Sequence, residues 1–158
     1  MRSIKRRRQE GRTDYKARLA LLKSSKPRLV IRKTNRYIIA QIVESDIAQD
    51  RILIGTDSKV LLTKGWSKEK SGSLKSLPAA YLTGLLLGNL AKGKVKEAIL
   101  DMGMHRNVSK SRIYAALKGA LDSGLDIPHS SDSLPSFDNI KPEIKKIFDK
   151  IKSELGAK

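Results

Sequence analysis

The first eighteen residues, MRSIKRRRQEGRTDYKAR, set the tightest limit on what this chain can fold into. Eight are Lys or Arg, only Glu10 and Asp14 oppose them, and nothing apolar stands between Ile4 and Tyr15. A segment without an apolar face cannot enter a core, so any domain must be built from the residues downstream of it. Such a charge block repels itself and is expected to stay extended until a polyanion neutralises it. Arg suits a phosphate partner because its fork of donors can meet two oxygens at once. A solvated tail that aids solubility is the plain alternative, and the charge distribution argues against it. Residues 1–36 hold fourteen Lys or Arg against two acids, a net of +12, while the remaining 122 residues hold nineteen against fourteen, a net of +5. A general solubility device needs no such polarity, which points to nucleic acid and less strongly to an anionic membrane.

At 158 residues the chain is long enough for one domain with a real core. It contains no cysteine, which excludes a disulfide framework and thiolate metal sites. The basic start is not followed by an apolar run, and the longest apolar stretch, near 77–91, is short and interrupted by Gly84 and Gly88. An intracellular, soluble protein is the expectation.

Taken in order, residues 15–22 continue the arm as a short helical or irregular stretch, and Ser24–Pro27 breaks it. Residues 28–32 form a strand with Leu29 and Ile31 on one face and Arg28, Val30 and Arg32 on the other. Thr34–Arg36 is a tight connection to a second strand, 37–43; Ser45–Asp50 reads as a turn and 51–56 as a third strand. Residues 57–75 read as a mostly polar loop carrying a lone Trp66. A helix should start near Ser76–Pro78, with Ser as cap and Pro in the first turn. Its anchors are Leu82, Leu85, Leu86 and Leu90, and its stripe of Ala80, Gly84 and Gly88 implies close contact with a neighbour. Ala98–Met102 suits a buried parallel strand. A second helix, capped by Ser109 or Ser111, presents Ile113, Leu117, Ala120 and Leu121 and stops at Gly124. Leu125–Ile127 is a short edge strand, 129–139 a Ser- and Pro-rich linker, and Pro142–Leu155 an amphipathic helix with Ile144, Ile147, Phe148, Ile151 and Leu155 on its stripe. The expected class is α/β. A mixed sheet combines a three-stranded antiparallel meander with a right-handed helix–strand crossover, and helices pack on it. The organisation is a basic arm over 1–26, a core over 27–135, and a linker with a terminal helix over 136–158.

Catalytic chemistry on such a fold would sit at the carboxyl ends of the strands. The order of elements is like ribonuclease H folds, where clustered carboxylates hold two metal ions. Asp57 and Asp101 end strands, but the strand 28–32 carries no acid and Asp46 and Asp50 lie in a turn. Asp57 therefore reads as a loop cap and Asp101 as a strand-end acceptor. His105 and His129 are far apart in sequence and read as surface or RNA-contact residues rather than metal ligands. There is no Ser/His/Asp set and no phosphate-cradling loop. Tyr15, Tyr37 and Trp66 are the exposed aromatics available for stacking, too few for a platform. No cofactor, metal or small-molecule substrate is expected.

The segments RRRQEGRTDYKARLALL and KPRLVIRKTNRYIIAQIV, with GW at 65–66, SLPAAYLTGLLLGNLAKG at 76–93, AILDMG at 98–103 and GLDIPHS at 124–130, together resemble the family of large-subunit ribosomal protein eighteen. TDYKAR, PAAYLTGLL and GLDIPHS are similar to its archaeal and eukaryotic branch. Eukaryotic members are much longer at the carboxyl end, so the likeness is to the archaeal type. The resemblance implies a non-catalytic role: binding 5S rRNA, contacting 23S rRNA and neighbouring proteins, and helping to build the central protuberance.

The residues themselves divide that labour. Arg6, Arg7, Arg8, Arg12, Lys16 and Arg18 should meet phosphates, and Thr13, Asp14 and Tyr15 should fix the arm's entry into the domain. Arg28, Arg32, Lys33, Asn35 and Arg36 form a second RNA face. His105, Arg106, Ser109, Lys110, Ser111 and Arg112 form a basic helix start, for which ordinary capping is the competing reading. Shape and backbone, rather than a base code, should dominate recognition.

Overall fold

The computed structural model describes residues 3–47, 49–137 and 140–156. The arm is not extended. Arg6–Gln9 make one helical turn (α1) and Tyr15–Leu22 a two-turn helix (α2) whose first N–H groups are capped by Asp14. Local contacts accompany this shape: Glu10 pairs with both Arg6 and Arg12, Arg7 Nε donates to Thr13 Oγ1, and Lys5 sits over the Tyr15 ring.

Among the described residues four strands follow the arm: Arg28–Lys33 (β1), Ile38–Asp46 (β2), Gln49–Asp57 (β3) and, later, Ile99–Asp101 (β4). They form one mixed sheet in the order β3-β2-β1-β4, with β1–β2 and β2–β3 antiparallel and β4 parallel to β1. The second hairpin is tighter than the sequence suggests. Ser45, Asp46, Gln49 and Asp50, expected in a turn, pair across the strands, and an irregularity at Ile42/Val43 takes up the extra residue. The strand β4 lies beside β1 at the edge of the sheet opposite β3, so the chain between them crosses the sheet.

The alternation in β1 is as its sequence implies. Leu29 and Ile31 are fully buried beside Ile38, Ala40 and Ile42 of β2. The helix Leu77–Ala91 (α3) packs over that face, and twelve of its fifteen residues are buried, so it is a central helix rather than an amphipathic one. Leu82, Leu85 and Leu86 are buried, but Leu90 is half exposed at the last turn. Gly84 and Gly88 face the helix Arg112–Asp122 (α4). A β-carbon at Gly84 would land on the Ala116 carbonyl, and one at Gly119 on the Tyr81 carbonyl. The two helices therefore touch backbone to backbone, and the small-residue stripe is what permits it. Neither Ser76 nor Ser111 makes a side-chain capping bond, although both stand at the N-cap.

Residues 57–75 are more structured than their polarity suggests. Two 3-10 turns, Ser58–Leu62 and Lys68–Ser73, carry the fully buried Leu61 and bring Trp66 into the core, 2% exposed. The indole N–H donates to the Lys70 carbonyl and Ser73 Oγ, so Trp66 is a packing residue and no stacking surface. Leu125–Ile127 contributes a parallel bridge at Asp126 to Glu97. In the 129–139 segment Ser131–Ser133 form a 3-10 turn and Ser133 and Pro135 are buried, so its described part packs on the domain; 138–139 lie outside the described residues. The helix Pro142–Glu154 (α5) docks on α3: Phe148 and Ile151 are buried, and Phe148 meets Tyr81 and Phe137 at ring distances of 5.4 and 5.6 Å. No helix is long and apolar enough to cross a membrane, among the described residues.

Candidate nucleic-acid interface

The carboxyl ends of β1 and β4 lie side by side because the two strands are parallel. The loop that leaves β4, from Met102 to Ser111, turns back there and delivers the start of α4. The arm returns to the same edge. A groove of about 780 Å³ runs between arm and sheet edge, lined by Arg7, Arg12, Thr13 and Arg18 on one side and Arg32, Asp101 and His105 on the other. A second groove of about 580 Å³ continues past Met104 and His105, which both share, to Lys33, Arg106, Lys110, Ser111 and Arg112. Three stretches far apart in sequence thus form one cationic trough.

An ion network holds that edge together. Asp101 Oδ2 accepts from Arg28 Nη1 and Asp101 Oδ1 from Arg32 Nη2, both at 2.8 Å, and Oδ1 also accepts from the Gly103 N–H at 2.9 Å. Arg28 Nη2 reaches Asp50 Oδ1 and Ser45 Oγ, and Asp50 Oδ2 takes Arg18 Nη2 from α2. The chain of contacts runs from the arm helix through the second hairpin to the end of β4. Burial pushes both carboxyls up. For Asp50 the hydrogen bonds of Ser45, Arg18 and Arg28 more than offset it and hold the group at about 2. For Asp101 the Arg32 hydrogen bond and charge, the Gly103 N–H and Arg28 do the same, keeping it below the ordinary carboxylate range.

Arg28 is therefore not a surface residue. The alternation places it on the outward face, but its side chain is 3% exposed and its guanidinium is spent on Asp101, Asp50 and Ser45. Arg32 is 37% exposed and pinned, with Nη1 donating to the carbonyls of Ile31 and Asp101. Its guanidinium lies against Gly103, where a β-carbon would sit 2.9 Å from Cζ. His105 Nε2 accepts from the Lys33 N–H at 3.2 Å, which leaves the neutral ring's proton on Nδ1. Burial and the charges of Lys33 and Arg32 hold its pKa below the usual histidine value, favouring that neutral form.

The other expected residues are distributed around the trough. Arg6, Arg8 and Lys16 project from the exposed arm, and Tyr15 is half-buried under Lys5. Asn35 and Arg36 are exposed at the first hairpin, and Arg106, Ser109 and Lys110 on the loop before α4. Lys110 adopts φ +59°, its N–H held by the Ser133 carbonyl at 2.8 Å. Asp57 caps a 3-10 turn through the Lys59 N–H, and His129 Nδ1 bonds the Ile127 carbonyl. Among the described residues no group of three or more His, Asp or Glu could hold a metal ion. Asp101 is the strand-end acceptor its sequence position suggests, but its partners Arg28 and Arg32, the Gly103 contact behind Arg32, and the bonds from Asp50 to Arg28 and Arg18 were not legible; the local signal was an acid two residues before a glycine at a strand end.

This arrangement defines a class: a small α/β domain that offers fixed cations to a partner and keeps the acids beside them internally bonded. Residues 1–98 and 91–130 match the family described as ribosomal large subunit proteins 60S L5 and 50S L18. The chain is 50% identical over 151 residues to the large ribosomal subunit protein uL18 of Korarchaeum cryptofilum, covering 94% of this chain and 75% of that protein. It is 48% identical over 139 residues to the uL18 protein of Methanospirillum hungatei, with coverage of 87% and 77%. For that of Methanococcus maripaludis the figures are 44% over 154 residues, 96% and 78%. The chain belongs to this family of ribosomal large-subunit proteins.

Proposed function

We propose that the protein is a structural constituent of the large ribosomal subunit that binds 5S rRNA and helps attach it to 23S rRNA in the central protuberance. The observation that carries this reading is the convergence of arm, β1 end and 103–112 loop on one cationic trough in a member of this family. The protein is no enzyme, since the family consists of ribosomal proteins, and its place is the ribosome of the cytoplasm, beside other large-subunit proteins. Arg7, Arg12, Arg32, Lys33, Arg106, Lys110 and Arg112 face or rim the trough and take phosphates. Arg6, Arg8 and Lys16 extend the contact outward along the arm, while Asn35 and Arg36 extend it along the first hairpin. The hydroxyls of Ser109 and Ser111 and the His105 Nδ1–H are donors left for the RNA, and Thr13 and Tyr15 shape the arm. Most of this binding is electrostatic and weakens with salt. Filter binding with 5S rRNA in Mg²⁺ tests it. A salt-sensitive complex containing intact RNA is expected; failure to retain 5S rRNA near physiological salt, or cleavage of the RNA, refutes it.

A further inference from the structure

We infer that the groove between the arm and β4 seats one unstacked nucleotide of the bound RNA, its base on an apolar floor and its phosphate on the arginine rim. This rests on the proposed RNA-binding role and gives it a base-level component.

A surface that only tracks phosphates has no use for an apolar floor. This groove has one, made by Leu21 of α2, Ile99 and Leu100 of β4, and Met102 and Met104 beyond it. Met104 stands 56% exposed although it adjoins a buried strand end. Methionine adapts its shape to a flat ligand better than a branched side chain does. The rim is cationic through Arg7 and Arg12, and both carboxylates on the lining are already satisfied. Asp14 accepts the Lys16 and Ala17 N–H groups, and Asp101 accepts from Arg28, Arg32 and Gly103. The lining carries four arginines, Arg7, Arg12, Arg18 and Arg32, against these two acids, so its net charge favours a phosphate.

Arg32 supplies the plane. Three hydrogen bonds of 2.7–3.0 Å fix its guanidinium, and Gly103 backs it where any side chain would collide. An immobilised guanidinium is a stacking surface that loses little freedom on binding. The volume of about 780 Å³ falls among pockets that hold small ligands. Unpaired loop nucleotides are the RNA parts that can leave their stack to fill such a seat.

The test uses the full chain and two variants that fill the groove without touching charge. Ala17 and Ala20 line it from the exposed side of α2, and leucine keeps helix propensity, so Ala17→Leu and Ala20→Leu leave the fold intact. Chemical probing of base edges and 2′-hydroxyls in the 5S rRNA complex should show one unpaired nucleotide protected by the parent chain. In the filled variants that protection is lost while the rest of the footprint stays. Affinity falls about tenfold, the scale of one base stack, with the salt slope unchanged. Arg32→Lys, which keeps the charge and removes the plane, gives the same pattern. Unchanged protection and affinity in all three variants overturns the proposal, as does a parent footprint confined to the backbone. Intact RNA binding with lost incorporation into subunits also overturns it, and assigns the groove to a protein side chain. Saturable micromolar binding of free nucleoside monophosphate makes it a small-molecule site instead, which equally overturns it. A parent chain with no footprint at all removes the RNA-binding reading, and the seat with it.

Discussion

Replacing Asp101 with asparagine tests whether the ion network or the overall field governs this molecule. The substitution keeps the shape and one acceptor oxygen but removes the charge shared by Arg28 and Arg32, both at 2.8 Å. The new amide must turn its NH₂ toward one of the two guanidinium groups. Arg28 is 3% exposed and cannot recover the loss from water; it keeps only Asp50 and Ser45. Breaking a buried pair costs about 3–5 kcal/mol. The retained carbonyl and the partial exposure of Arg32 bring the expectation to about 2–4 kcal/mol. For a chain of this size that lowers the melting temperature by about 5–15 °C. Circular dichroism melts and urea titrations with an unchanged m-value measure it. The RNA side makes the test sharper. Removing an acid raises the net charge by one, so a purely long-range field predicts tighter RNA binding. If Asp101 aims Arg32, affinity falls instead, by about three- to tenfold, the scale of part of one charge-assisted contact. A variant within 1 kcal/mol of the parent, or one that binds RNA more tightly, refutes the reasoning.

Four further outcomes are expected. Gly84→Ala gains about 1 kcal/mol of helix propensity but drives its methyl into the Ala116 carbonyl, for a net loss of about 1–2 kcal/mol in urea titrations, whereas Gly72→Ala, in open space, is nearly neutral. Asp50 and Asp101 have folded pKa values below the unfolded value of about 3.9; their stabilisation is present above that unfolded value and is lost as pH falls through the lowered folded values, about 2 for Asp50, so the melting temperature drops across that window, and less steeply in Asp50→Asn. Phe148→Ala removes the ring packed on Tyr81 and Phe137 and should cost about 3–5 kcal/mol; an unchanged melting temperature would place the role of α5 outside the domain. Deleting residues 1–13, which spares the Asp14 cap, leaves the melting temperature nearly unchanged and shrinks the log–log salt slope of RNA binding by about 3–5 units at roughly 0.7–0.9 per phosphate; a full slope would make the arm a mere solvated tail.

Much of the framework is legible in the chain because its causes are local. Leu29 and Ile31 alternate with Arg28, Val30 and Arg32, and period two is enough to set which face is buried. The spacing of Ala80, Gly84 and Gly88 announces a close helix contact, and the stripe of α5 shows which side must be covered. The features that were not legible depend on partners distant in sequence. Arg28 reads as a surface cation until Asp50 and Asp101, 22 and 73 residues away, are brought beside it. Trp66 reads as exposed because polar residues surround it, yet the turn that satisfies its N–H is made by those same residues. The arm reads as extended because its like charges repel, yet Glu10 pairs with both Arg6 and Arg12 and the chain turns there. The trough obeys the same rule: its cations were each identifiable, but their meeting at one edge depends on β4 pairing with β1 rather than with β3.

That pairing also sets an order of events while the chain is being made. The strand β1 gains its second neighbour only when residues 99–101 have been added, and until then Arg28 lacks its Asp101 partner, 73 residues downstream. Domains emerge amino end first at about 5–20 residues per second. For several seconds the basic arm is therefore outside and the sheet behind it is unfinished. Local bonds such as Arg7 to Thr13 and Glu10 to its two arginines need no distant partner and can form at once. The nascent chain thus presents its cations before it has a folded body, and the strand that completes the sheet also completes the groove they border.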